Sequence, residues 1–238
     1  MIELKNISLG YPGRTFLDDV SCRFDDSSLI AIIGRNGSGK SSLLRAIASL
    51  SDNYKGNIIV DGKNVNDMDA MQRAMSISLV TTERIRIANL SCKDLVALGR
   101  APYTNWFGRM QESDREAVME SLDAVGMADY ADRTMDRMSD GECQRVMIAR
   151  ALAQDTPNIL LDEPTSFLDL PGRYEICALL ADIAHSLGKC ILFSTHELEI
   201  AVGRCDSVAI VDSPSLIHLP SDKIKASGHV QRLFGIDL

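Results

Sequence analysis

No run in this sequence of 238 residues approaches the about 18 consecutive apolar residues that a membrane-spanning helix needs. Its opening, MIELKNISLG, also lacks the basic and apolar regions of a secretory signal, so the chain by itself is expected to be soluble. Positive charge is in deficit too. With 25 Lys and Arg against 33 Asp and Glu, the formal net charge of −8 argues against broad contact with a nucleic-acid backbone, which needs clustered cations, yet is compatible with one bound nucleotide. Six cysteines (Cys22, Cys92, Cys143, Cys177, Cys190 and Cys205) are scattered, with no C-x-x-C pair and no histidine at metal-ligand spacing. The pattern argues against zinc and suits buried free thiols in a reducing compartment. No repeat, low-complexity tract or linker divides the chain. Aromatic residues make up only 5%, and their one strong patch, Trp106 and Phe107, suits either a core position or a docking surface.

What is present alternates between strand and helix patterns. IELKNISLGY and DDVSCRF show period-two alternation, as in edge-like antiparallel strands. LIAIIG, ending at Gly34, is a continuous apolar run, expected of a strand buried on both faces. A helix is predicted from about Lys40, with Leu43, Leu44, Ile47 and Leu50 on one face, and NIIVDGK reads as a strand entering a turn at Asp61 and Gly62. From about Ser91 to Arg150 the pattern is almost wholly helical, with SCKD and SDRE as helix starts and Gly126 as a stop. NILLDE, the amphipathic LPGRYEICALLADIAHSLG, KCILFSTH and DSVAIVD then restore strand, helix, strand, strand. The economical reading is an α/β fold with a parallel-sheet core, an N-terminal antiparallel β portion and a helical insertion.

The chemistry begins at GRNGSGKSS, which matches G-x-x-x-x-G-K-[ST] between a buried strand and a helix. Glycines at 34, 37 and 39 let main-chain N–H groups turn inward, Lys40 adds a point charge for the outer phosphates, and Ser41 offers a hydroxyl to Mg²⁺. Gly34, Asn36, Gly37, Ser38, Gly39, Lys40, Ser41 and Ser42 are thus the candidate nucleotide-binding residues. Asp162 follows the apolar Ile159, Leu160 and Leu161, so it emerges at a strand's carboxyl end, where it can hold Mg²⁺ and its water shell. Glu163 beside it suits a general base for an attacking water, the bland alternative being a solvated acid. His196, in FSTHE, ends a third apolar strand at the same expected edge, within reach of a terminal phosphate. Tyr11 suits stacking on adenine or plain strand-end packing. Ser139 and Glu142 in MSDGECQRV make a capping box at a helix start, far along the chain from the phosphate loop.

GRNGSGKSS, MSDGECQRV, ILLDEPTS, the following FLD and the histidine of STHE stand in the order and approximate spacing of ATP-binding cassette ATPases, and the resemblance covers nearly the whole chain. VALGRAPYTNWFGRM and ARALAQDTPNILLDEPTSFLDLPGR are similar to the subgroup serving importers of iron siderophores, haem and cobalamin. The resemblance implies a P-loop ATPase core of about residues 1–86 and 156–238, with an inserted helical subdomain of about 87–155. It implies ATP and Mg²⁺ as ligands, and a homodimer in which Ser139, Gly141 and Glu142 of one subunit complete the ATP site of the other. Asp169 would then lie at the subunit boundary. Further implied partners are transmembrane permease subunits and, indirectly, a substrate-binding protein, with the chain on the cytoplasmic face of the membrane. Two other readings are a soluble cassette ATPase with an assembly or regulatory role, and a different P-loop enzyme such as a kinase, which leaves MSDGEC unexplained.

Three departures stand against the family pattern. Thr82, in SISLVTTERIR, occupies the place of a glutamine that reaches Mg²⁺, the attacking water and the permease; it is shorter, and Glu83 is its possible substitute. Asp140 replaces the first glycine of the signature and Met138 its leucine, setting an acid near an incoming triphosphate. Cys143 occupies a position usually polar or basic.

Overall fold

The computed structural model describes residues 1–83, 87–104 and 109–235. Trp106 and Phe107 lie outside the described residues. The chain opens with β1 (Ile2–Tyr11) and β2 (Arg14–Phe24), then β3 (Ser28–Gly34), α1 (Lys40–Ile47), β4 (Tyr54–Val60), the short β5 (Lys63–Asn64), α2 (Ala70–Ser76) and β6 (Ile77–Val80). A helical stretch follows, with α3 (Cys92–Ala97), α4 (Glu112–Ala124) and α5 (Asp140–Ala153) joined by short 3-10 turns. The chain returns through β7 (Asn158–Leu161), α6 (Leu170–Ser186), β8 (Cys190–Ser194), α7 (Leu198–Arg204), β9 (Ser207–Asp212) and β10 (Ser215–Pro220), and ends in the short helices α8 (Ser221–Ile224) and α9 (His229–Phe234).

Two sheets form. One is antiparallel, in the order β2-β1-β4-β5; the other runs β10-β9-β3-β8-β7-β6, parallel except for the β9–β10 hairpin. The α/β class with an antiparallel sheet beside a mainly parallel one is the class expected from the pattern. Within it, β1 is an inner strand paired on both sides, and β2 is the edge. β10 was not anticipated: its Ser215 is exposed and its Leu216, Ile217, His218 and Leu219 are only partly buried, which blurs the apolar signal.

The central strands show why an unbroken apolar run works here. In β3, Leu29, Ala31 and Ile33 enter the core under the helices, while Ile30 and Ile32 enter the core between the sheets. β8 divides the same way, Ile191 and Phe193 against Cys190 and Leu192. Alternate side chains therefore serve two cores, and each fully buried aliphatic contributes about 1.5–3 kcal/mol. Helix α1 is shorter than its apolar pattern suggests. It ends at Ile47, Ser49 turns to φ 55°, and Leu50 leaves the shared face at 68% exposure. The turn after β4 does form where expected, with both Asp61 (φ 49°) and Gly62 (φ 82°) left-handed, as a tight hairpin demands.

The helical stretch is fastened to the parallel sheet by polar contacts at the end of α5. Arg150 donates to the Leu79 carbonyl at 3.2 Å, and the Gln154 amide donates to the carbonyls of Ala74 and Ile77 at 2.7 and 3.1 Å. Helix α3 is capped by Ser91, as SCKD implied, and Gly126 follows α4 at φ 72°. Helix α4 begins ahead of SDRE, because Asp114 is needed inside: its carboxylate accepts from the Gln111 N–H at 2.9 Å and pairs with Arg100 at 2.9 Å. Both partners are buried, and Arg100 also donates to the Ala153 carbonyl.

The Gln111 N–H, and then Arg100, hold the Asp114 carboxyl below its usual range. Because its folded pKa lies below the unfolded value of about 3.9, this contribution to stability is complete above that pH and is lost as pH falls beneath it. Asp114→Ala leaves Arg100 buried without a counter-charge and is expected to cost about 3 kcal/mol, read as a lowered urea midpoint at neutral pH. The deficit against wild type should shrink on acidification.

Candidate active site

Strands β3, β8 and β7 lie side by side and parallel, so the loops after their carboxyl ends meet at one edge. The loop after β3 is the glycine-rich one. Gly37 and Gly39 adopt φ 71° and 103°; a Cβ on Gly39 would stand 2.7 Å from the Phe16 side chain, so both the conformation and the close approach require glycine. Helix α1 has no side-chain cap at Gly39, which leaves its first main-chain N–H groups available to an anion. Beside the loop lies an open cavity of about 410 Å³, lined by Arg14, Phe16, Asn36, Gly37, Gly39, Lys40, Ser41, Ser42, Glu163 and His196. Gly34 and Ser38 are not among its lining residues: the buried Ser38 hydroxyl stands close to Gly34 and has no hydrogen-bond partner among the described residues.

Lys40 is 5% exposed, and its ammonium donates to the carbonyls of Gly34 (3.0 Å) and Arg35 (3.4 Å), curling back into its own loop. Burial pushes its pKa down, against the opposing pull of Glu163 and Asp162. Asp162, at the end of β7, is the hub of the site. One of its carboxylate oxygens accepts from Ser41 at 2.8 Å and from Ser194 at 2.7 Å. The Ser194 hydroxyl in turn accepts from the Glu163 N–H at 2.9 Å. Glu163 is held at φ 49°, left-handed for a non-glycine residue, which costs of order 1–2 kcal/mol. Its carbonyl accepts from the N–H (3.0 Å) and hydroxyl (2.7 Å) of Ser166, so hydrogen bonds on both sides impose the conformation. The twist lets Asp162 and Glu163 point to different tasks. His196 Nε2 lies 2.5 Å from Glu163 Oε1, and both side chains are partly open to solvent.

The structure therefore brings Asn36, Gly37, Gly39, Lys40, Ser41, Ser42, Asp162, Glu163 and His196 together. Other sequence candidates lie outside the cavity lining. Tyr11 is 47% exposed and meets Phe16 edge to face, with centroids 5.7 Å apart; it lines a neighbouring groove with Tyr54 and Lys55. Thr82 is exposed two residues past β6, and residues 84–86 beyond it are not described. Ser139 caps α5: its hydroxyl accepts from the Glu142 N–H at 3.2 Å while the Glu142 carboxylate accepts from the Ser139 N–H at 2.7 Å. That second bond, aided by Arg133, holds the Glu142 carboxyl below its usual range. Asp169 caps α6, accepting from the Gly172 N–H at 3.1 Å, and is exposed. Ser139 and Glu142 are thus paired within their own helix start, and with Gly141 they take no part in lining this cavity. Sequence reasoning missed Arg14, Phe16 and Ser194. Ser194 alone carried a signal, as a hydroxyl ending an apolar strand.

Comparison with known proteins places the chain in a family. Residues 17–166 match the ABC transporter family. The chain is 35% identical to the achromobactin transport ATP-binding protein of Dickeya dadantii over 88% of its own length and 78% of the relative's. Its fold superimposes on an inward-facing metal-chelate type ABC transporter described as putative, with TM-score 0.87, 26% identity, and coverage of 99% of this chain and 89% of that one. It also superimposes on a dimeric ATP-binding cassette bound to ADP and phosphate, with TM-score 0.78, 27% identity, and coverage of 93% and 99%. The chain belongs to the ABC transporter family, and it is an ATPase of that type. Among the described residues no helix is long and apolar enough to cross a membrane.

Ser194 is fully buried, so Ser194→Ala strands both the Glu163 N–H and one Asp162 lone pair. The expected loss is about 1–3 kcal/mol of stability in urea titration, with a lowered ATPase kcat. Unchanged values of both would remove Ser194 as the link between the two acids.

Proposed function

We propose that this ATPase energises uptake of a metal chelate, of the iron-siderophore, haem or cobalamin kind, through a membrane permease. The carrying observation is the chain-long likeness to a metal-chelate type transporter, joined to the convergence of Lys40, Ser41, Asp162, Glu163 and His196 on one cavity. The relative that serves achromobactin transport supports the same class.

In this reading the loop N–H groups and Lys40 hold the ATP phosphates, so Lys40 leaves its own carbonyls for the substrate. Ser41 and Asp162 suit Mg²⁺: one hydroxyl and one carboxylate are hard oxygen donors, and this cation favours few protein ligands plus phosphate oxygens. Bound there, it neutralises phosphate charge. Glu163 orients the attacking water and accepts its proton, and His196 donates a hydrogen bond to the terminal phosphate. Their mutual contact at 2.5 Å opens as the substrate enters.

The catalytic lobe comprises about residues 1–86 and 156–238, and the helical lobe about 87–155. Two subunits close head to tail, and the start of α5, with the exposed Ser139 and the partly buried Gly141 and Glu142, completes the partner's site through oriented N–H groups and the helix dipole. Asp169 faces the partner at the boundary, and Tyr11 and Phe16 flank the base. The dimeric cassette bound to ADP and phosphate is similar enough to support this arrangement. Permease docking would place the assembly on the cytoplasmic membrane face, with a substrate-binding protein beyond it. Thr82, near the expected contact with the permease, reaches less far than glutamine.

Glu163→Gln is expected to retain ATP binding while slowing turnover about 10²–10⁴-fold, equivalent to about 3–5 kcal/mol of barrier. With Mg²⁺ and ATP this variant should sediment as a dimer; a strictly monomeric boundary rules out the shared site. Purification from native membranes should recover a polytopic permease. Its absence would favour a soluble assembly or regulatory ATPase.

A further inference from the structure

Arg14, the first residue of β2, lies outside the phosphate loop and the strand-end acids, yet it lines the nucleotide cavity. Its Nη2 donates to the Gly37 carbonyl at 2.6 Å, and its guanidinium carbon stands 5.1 Å from the centre of the Phe16 ring. Phe16 itself packs on Gly39 and meets Tyr11 edge to face. The start of β2 thus leans on both left-handed glycines of the loop. Among the described residues Arg14 meets that carbonyl and that ring, and no carboxylate.

We propose that Arg14 is a further nucleotide-binding residue, whose guanidinium takes phosphate oxygens of ATP at the cavity mouth. The inference rests on the cavity being the ATP site. A guanidinium fork carries more donors than one carbonyl takes, and its geometry matches phosphate in a bidentate manner. Lys40, the other cation of the lining, is buried at the loop's base, whereas Arg14 is exposed at its rim. The two cations therefore stand at different depths of the same cavity. Stacking on Phe16 holds the Arg14 side chain beforehand, so less rotamer freedom is lost on binding. A neutral brace between β2 and the loop would need only the hydrogen bond to Gly37. A phosphate ligand needs the charge.

The test compares Arg14→Ala, Arg14→Gln and Arg14→Lys in the whole chain, with ATP binding by calorimetry and steady-state hydrolysis. Arg14→Gln keeps a donor for Gly37 but removes the charge. Arg14→Ala and Arg14→Gln should each raise Kd and KM for ATP about tenfold, about 1.4 kcal/mol. Arg14→Lys should raise them only about threefold. kcat at saturation should stay within about twofold of wild type, as for uniform binding, and the loss of affinity should be as large in Arg14→Gln, which keeps a donor for Gly37, as in Arg14→Ala. Wild-type affinity in Arg14→Gln would reduce Arg14 to a brace and overturn the proposal, as would a fall in kcat with Kd unchanged. Lys40→Ala, run in parallel, separates the two levels: its loss of ATP binding marks the cavity as the nucleotide site independently of Arg14. Wild-type binding there would overturn the cavity assignment itself.

Discussion

Two short hydrogen bonds into one oxygen of Asp162, from Ser41 and Ser194, join the ends of three neighbouring parallel strands. Through them the phosphate loop, the acidic pair and the segment carrying His196 share one frame. In a site buried enough to shield Asp162 and Ser194, each of these bonds carries more weight than it would in water. Glu163 inherits its unusual backbone from the same network, since Ser194 accepts its N–H while Ser166 donates to its carbonyl. The strain is thus local and compensated, and it separates two adjacent carboxylates that an extended strand would simply send to opposite faces.

Several polar groups at the candidate site and at the start of α5 already hold partners within the protein. Lys40 bonds to carbonyls of its own loop, Glu163 contacts His196, and Ser139 and Glu142 cap each other. Under the proposed function, ATP would exchange one set of hydrogen bonds for another, so the net gain on binding would be smaller than the sum of new contacts. Such an exchange is how differential affinity for two arrangements becomes conformational work. Polar ties from α5 to β6 and α2, made by Arg150 and Gln154, stand at the far end of the helix that Ser139 starts.

The fold class, and the meeting of the glycine-rich loop, Asp162, Glu163 and His196 at one sheet edge, were legible because each depends on local order. An apolar run ending at Gly34 announces a doubly buried strand, and G-x-x-x-x-G-K-S follows from the needs of a phosphate cradle. The end of α1, the early start of α4 and the β10 hairpin were not legible. Ser49 breaks the helical phase, Asp114 is claimed by Arg100, and β10 is too exposed to carry a clear apolar pattern. Local propensity does not register such distant claims.

The sequence by itself determined which residues can hold phosphate and move a proton, because loop conformation and side-chain chemistry are written in consecutive residues. Only the tertiary structure decided which of them share a cavity. Arg14 and Phe16 reach the loop across a gap in the chain that no spacing rule spans, and Ser194 becomes the link between Asp162 and Glu163 only once β8 lies beside β7. It also left Ser139 and Glu142 satisfied within their own helix start, outside the lining of this subunit's cavity, since packing fixes where a helix N-terminus points and capping chemistry does not.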